Sequence, residues 1–98
     1  MILVWSPLAA EERFEQLDYI AQDNPLAALS QDEEIEQQIR LLVEQPEMGR
    51  MGRVKGTREL VVSQTPFIAV YRIKGERVEI LRFLHGAQQW PKKLKSKP

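Results

Sequence analysis

The residues best able to do chemistry are a single histidine, His85, and the arginines spread through the second half of the chain. Histidine titrates near neutrality and can give or take a proton, while arginine can grip a phosphate and stabilise charge developing on it. Together they could cleave RNA, with His85 as general acid or base and Arg58 or Arg82 on the phosphate. Each has a plainer reading as well. His85 falls at a strand end, where its ring can bond to backbone. Arg72 has Glu79 as a cross-strand partner, so an ion pair accounts for it. Arg58 and Arg82 are open to either a solvating or a partner-binding role, and Tyr71 reads as core. Other site classes find no support. One histidine with scattered carboxylates gives no metal-ligand spacing, and the absence of cysteine removes thiolate ligands and disulfides. Gly49-Arg-Met-Gly52 lacks the strand-loop-helix context and the Lys-Ser/Thr ending of a phosphate loop. No cofactor and no metal are expected.

The elements that would position these residues lie mostly between 57 and 91. Thr57–Val62, Phe67–Ile73 and Arg77–Leu84 are β-branched and aromatic runs separated by turn residues, an antiparallel meander. Taking Gly75-Glu76 as the centre of a type II′ turn sets Arg72 opposite Glu79, Ile73 opposite Val78 and Tyr71 opposite Ile80. A turn at Lys74-Gly75 would instead oppose Arg72 to Arg77, which like charges disfavour. Continued along both strands, the same register sets Val70 opposite Leu81, Ile68 opposite Phe83 and Phe67 opposite Leu84. Arg58, Tyr71 and Arg82 then share one face of the sheet, and Arg72, Glu79 and His85 share the other.

Ahead of the meander, Ile2–Trp5 reads as a buried first strand. Ser6-Pro7 and Asn24-Pro25 are two helix starts, each an N-cap oxygen followed by a proline at the first helical position. The first helix is expected to run to about Gln22, burying Leu8, Ala10, Phe14, Leu17, Ile20 and Ala21. The second is expected to reach about Gln45, burying Leu26, Leu29, Ile35, Ile39, Leu42 and Val43. So short a joint makes the pair an αα-hairpin. Pro46–Arg53 then reads as a mobile basic loop with one proline and two glycines.

Bulk properties fit one small domain of 98 residues, 43% of them apolar. No apolar run approaches the roughly 20 residues of a membrane span, and the start lacks the basic region of a signal peptide. The expected location is the cytoplasm. A net charge of zero hides a strong asymmetry. Residues 1–49 carry eleven acids and two bases, a net −9, whereas residues 50–98 carry twelve bases and three acids, a net +9. A basic half of this size points to nucleic acid or an acidic protein as partner. The alternative is that acidic helices and basic strands neutralise each other within the fold. The end of the chain, Trp90-Pro91 followed by Lys92-Lys-Leu-Lys-Ser-Lys97, reads either as a contact element or as a solubilising terminus.

The order strand, helix, helix, three strands resembles the RelE/ParE toxins of bacterial toxin–antitoxin modules. The resemblance rests on residues 1–91. Its pieces are Trp5-Ser6-Pro7-Leu8-Ala9 at the first junction, Tyr19–Pro25 at the helix–helix joint, Pro46-Glu-Met-Gly49 and Gly56-Thr-Arg-Glu-Leu60. Tyr71-Arg-Ile73, Val78-Glu-Ile-Leu81 and His85–Pro91 complete the series in order. It implies an α+β fold, β-α-α-β-β-β, in which the N-terminal helical hairpin packs on an antiparallel sheet. The domain would be 1–91, with 92–98 a basic tail. RelE-like members cut messenger RNA on the ribosome with arginines that here fall near Phe67 or Ile68 and near Gln88, where none is present. ParE-like members act on DNA gyrase, and this sequence looks closer to them, although Gln88-Gln89 stands where an arginine pair is common. The resemblance implies a toxin that inhibits DNA gyrase and is held by a cognate antitoxin in a hetero-oligomer, touching DNA only through the antitoxin or gyrase complex. The alternatives are a ribosome-dependent endoribonuclease using His85 with Arg58 or Arg82, and a non-toxic antitoxin-binding module. Residues for target or antitoxin contact would be Arg50, Arg53, Lys55, Arg58, Arg82, His85, Trp90, Lys92 and Lys93.

Overall fold

The computed structural model describes residues 1–87. Its elements in order are β1 (Ile2–Trp5), α1 (Pro7–Asp23), α2 (Pro25–Arg40), a 3-10 turn (Leu41–Val43), β2 (Arg50–Met51), β3 (Arg58–Val61), β4 (Phe67–Lys74) and β5 (Arg77–His85). Both helix starts form as their sequences require. The Ser6 side chain accepts from the Ala9 amide and the Asn24 side chain from the Ala27 amide, each followed by proline at the first helical position. The second helix ends at Arg40 and tightens into the 3-10 turn, short of the expected Gln45.

The sheet has five strands in the order β1-β5-β4-β3-β2. Its meander is antiparallel, as expected, but β1 lies parallel to β5, so the whole sheet is mixed. β1 forms one edge and is half-exposed, not buried. At the other edge the expected mobile loop contains β2, which pairs Arg50 with Glu59 and Met51 with Arg58. Gly75 carries φ 60° at the first central position of the β4–β5 turn, as a type II′ turn demands.

The register follows the sequence expectation near that turn and departs from it further along. Arg72 faces Glu79, Ile73 faces Val78 and Tyr71 faces Ile80, but Val70 then faces Arg82. Leu81 is the extra residue of a β-bulge, and everything beyond it moves by one position. Ile68 therefore faces Leu84 and Phe67 faces His85. The displacement exchanges two candidate site residues between faces. His85 joins Arg58 and Tyr71 on the helix-covered face, and Arg82 joins Arg72 and Glu79 on the far face.

The core lies between helices and sheet: Ala9, Ile35, Ile39 and Leu42 meet Leu60, Val62, Phe67, Ala69, Tyr71, Val78, Ile80 and Phe83. Each large apolar side chain buried there contributes about 1.5–3 kcal/mol. The Phe83 ring packs 5.1 Å from Phe67 and 5.8 Å from Trp5. The expected stripes hold in part: Ile35, Ile39 and Leu42 are buried, and Leu17 and Ile20 pack against the core. Ala9 rather than Leu8 or Ala10 faces the sheet, while Phe14, Leu26 and Leu29 are exposed. On the far face Ile68, Val70 and Leu84 are buried as well.

Candidate functional site

Three features are candidates: the basic loop with Arg58, the end of β5 with His85, and the outer face of the helical hairpin. The loop is held at several points. Tyr71 reaches it from β4, its hydroxyl donating to the Pro46 carbonyl at 2.7 Å and accepting from the Gly49 amide at 2.9 Å. Only glycine allows this approach, since a Cβ at Gly49 would sit 2.6 Å from the Tyr71 oxygen. Burial, opposed by the Gly49 hydrogen bond and by Arg58, raises the Tyr71 pKa above its usual 10.0. Arg58 donates to the Gly49 and Glu47 carbonyls at 2.9 and 3.2 Å, so its guanidinium serves the loop. Glu59, almost fully buried, accepts from the Arg50 side chain and the Arg53 amide. The result is a clamped basic edge that presents Arg50, Arg53 and Lys55.

Arg82 is also bound within the fold. Its guanidinium grips Glu12 of α1, with Nε at 3.2 and 3.1 Å and Nη2 at 2.7 Å from the carboxylate oxygens. His85 accepts from the Ala87 amide at Nδ1 (3.0 Å) and stands edge-on to Phe67. It lines a cleft of about 380 Å³ with Glu15, Gln16, Tyr19, Ile20, Gln31, Pro66 and Phe67. The Gln31 Oε1 is buried there without a hydrogen-bond partner among the described residues. A carboxylate and an orphaned acceptor suit a hydrogen-bond donor and oppose a phosphate.

The structure does not bring the candidate catalytic residues together. Arg58 is level with Tyr71, four residues along β4 from the Phe67–His85 pair, about 13 Å at strand spacing. Arg82 is on the opposite face. Trp90, Lys92 and Lys93 lie outside the described residues, as do Gln88 and Gln89.

The outer face of the hairpin holds a feature the sequence reading missed. A groove of about 580 Å³ runs between α1 and α2, lined by Ala10, Phe14, Leu17, Ala21, Pro25, Ala28 and Leu29, with Arg13, Asp18 and Asp32 at its rim. Arg13 ties the groove together, donating to Asp32 at 2.6 Å while its guanidinium stacks 5.0 Å over Trp5. The signal was present in α1, whose apolar residues span too wide an arc to face one sheet.

The arrangement of a helical hairpin on a mixed five-stranded sheet has a counterpart in a type II toxin–antitoxin system. The solved structure "Chromosomal ParDE TA system from P. aeruginosa" contains a chain matching with TM-score 0.78 and 32% identity, over 87% of this chain and 95% of that one. The protein "Putative toxin Y4kP" of Sinorhizobium fredii (strain NBRC 101917 / NGR234) is 43% identical over 88 residues, 89% of this chain and 91% of its own length. The model for the ParE toxin of type II toxin-antitoxin system, parDE, matches residues 3–90. The chain therefore belongs to the ParE toxin family.

Proposed function

We propose that this toxin acts by binding DNA gyrase in the cytoplasm, not by cutting RNA, and that a cognate antitoxin holds it in a hetero-oligomer. The observation that carries this reading is the setting of His85. Among the described residues its cleft offers Glu15 and the Gln31 acceptor rather than the cations a phosphate would call for, and Arg58 and Arg82 are elsewhere. Binding surfaces, in contrast, are well built. Arg50, Arg53 and Lys55 stand on a clamped edge that can meet a target. The α1–α2 groove can seat an apolar helix stripe of the antitoxin, as helix-in-groove recognition requires. Membership of a parDE-type toxin family supports the antitoxin partner.

Purified toxin added to gyrase is expected to block supercoiling and trap the cleavage complex, and the cognate antitoxin is expected to reverse both. Unchanged gyrase activity at excess toxin overturns the reading. Cleavage of ribosome-bound message that is lost in His85→Ala would replace it with the ribonuclease reading. Normal growth on induction without antitoxin would leave only an antitoxin-binding module.

A further inference from the structure

The sheet face turned away from the helices carries two buried carboxylates, and each is shared by two arginines. Glu79 is 7% exposed and accepts from Arg72 Nε at 2.7 Å and Arg77 Nη2 at 2.6 Å. Glu59 is 2% exposed and accepts from Arg50 Nε and Nη2 at 3.1 and 2.8 Å, with Arg53 Nε 3.6 Å away. The carboxylates lie beneath and the guanidiniums above, the arginine side chains all remaining substantially exposed. Register places the two groups two strands and two residues apart, about 12 Å. Lys74 stands opposite Arg77 on the same face and is exposed.

Folding alone does not account for this arrangement. One cation neutralises a buried carboxylate, yet both Arg72 and Arg77 hold Glu79, and Lys74 stands directly opposite Arg77 as a like charge. What the arrangement achieves is orientation. A guanidinium has five donors in a rigid fork, and fixing one edge on a buried carboxylate aims the others outward.

We propose that this face is a docking surface for an extended acidic segment of a partner protein, its carboxylates taken by guanidiniums that Glu59 and Glu79 hold in place. Acids four residues apart on an extended segment span about 13 Å, close to the separation of the two groups. A nucleic-acid backbone fits less well. Its affinity comes chiefly from long-range positive potential, and here the net −9 of residues 1–49, most of it on the helices, lies one layer away. That layer is about 10 Å thick, near the Debye length at physiological salt, so the long-range field is weakened while direct fork contacts persist. The surface is separate from the hairpin groove; it shares Arg50 and Arg53 with the basic edge proposed to meet the target, but it does not require that target to be gyrase.

The test is fluorescence anisotropy with a labelled octapeptide of alternating Glu and Ser, beside oligo-dT of equal charge, on the full chain at about 0.15 M salt. The peptide is expected to bind more tightly than the oligonucleotide. Replacing both Arg72 and Arg77 by Lys keeps the charge and is expected to weaken peptide binding about tenfold. Glu79→Gln removes a negative charge, so simple attraction predicts tighter binding of the acidic peptide, whereas loss of orientation predicts weaker. Arg77→Gln leaves Arg72 on Glu79 and supplies a folded variant, checked by thermal melting, that is also expected to bind less. No peptide binding, tighter binding to oligo-dT, or undiminished binding by folded Glu79→Gln or Arg77→Gln would each overturn the proposal. Arg50 and Arg53 also belong to the edge proposed to meet gyrase, so the variants that separate the two readings are those at Arg72, Arg77 and Glu79, in which peptide binding can be lost while gyrase inhibition persists.

Discussion

At the scale of single residues, Tyr71 and Glu79 show how buried polar groups set the limits of stability. Tyr71 has a raised pKa, so the folded state prefers the neutral phenol. Its contribution is complete below about pH 10 and is lost as pH rises beyond that value. Tyr71→Phe removes both loop hydrogen bonds and leaves the Gly49 amide without its acceptor, at a cost of about 1–3 kcal/mol. Urea melts at neutral pH should show that loss, and melts above pH 10 should show wild type approaching the variant. Glu79 behaves in the opposite sense. The hydrogen bond from Arg72 holds its carboxyl below the usual 4.5, so its contribution is present above that value and disappears as pH falls through and below it. Between neutral pH and about pH 3, wild type should lose more stability than Glu79→Gln. The Arg72–Glu79 pair was legible from the sequence because a turn and a charge rule fixed its register. Arg77 on Glu79 and both arginines on Glu59 were not, since Arg77 and Arg53 reach their partners along or outside the strand ladder and Arg50 lies on β2, which reads as loop in the sequence.

At the scale of elements, α1 does something for the sheet that its amphipathic pattern does not announce. β1 stops at Trp5, opposite Ile80, while β5 continues five residues further with its outer edge bare of strand. Side chains of the first helix and its cap complete that edge. Ser6 Oγ donates to the Leu81 carbonyl at 3.1 Å, Glu12 accepts from the Phe83 amide at 2.8 Å, and Gln16 donates to the Phe83 carbonyl at 2.8 Å. Glu12 also holds Arg82, so one carboxylate seals the edge and neutralises the arginine next to the bulge. Glu12→Ala should cost about 3 kcal/mol, since it strands a buried amide and a half-buried cation together. Gln16→Ala should cost about 1 kcal/mol. Urea melts would rank the two, and hydrogen exchange at the Phe83 amide should quicken only in the Glu12 variant. The bulge that creates this need was invisible in the sequence. Nothing distinguishes Leu81 from its neighbours as an extra residue, and the expected faces of Arg82 and His85 were exchanged for that reason alone. Helix starts, by contrast, were legible to the residue, because Ser6-Pro7 and Asn24-Pro25 act locally.

At the scale of the whole molecule, opposite charges sit on opposite layers and leave apolar surface on the acidic one. The helical hairpin turns Phe14 and Leu29 outward at 68% and 62% exposure, beside Leu26 and Tyr19, which are more exposed still. A sequence pattern can say that such residues are apolar at helical spacing, but only packing decides which of two possible stripes meets the sheet. Here the small residues Ala9 and Ala28 are among those buried, and the larger Phe14, Leu26 and Leu29 are left on the outside. That placement separates stability from partner binding in a way experiment can read. Phe14→Ser and Leu29→Ser remove groove walls that the fold does not bury, so unfolding free energy should move by no more than about 0.5 kcal/mol. If the groove seats the antitoxin, each lost anchor should weaken that complex by about tenfold or more. Calorimetric titration of the cognate antitoxin into both variants would measure it, with Leu60→Ala as the contrasting core variant. Leu60→Ala should destabilise the fold by about 2–5 kcal/mol, yet leave the affinity of molecules that remain folded unchanged. Equal antitoxin affinity in wild type, Phe14→Ser and Leu29→Ser would remove the groove as the seat and shift attention to the arginine face.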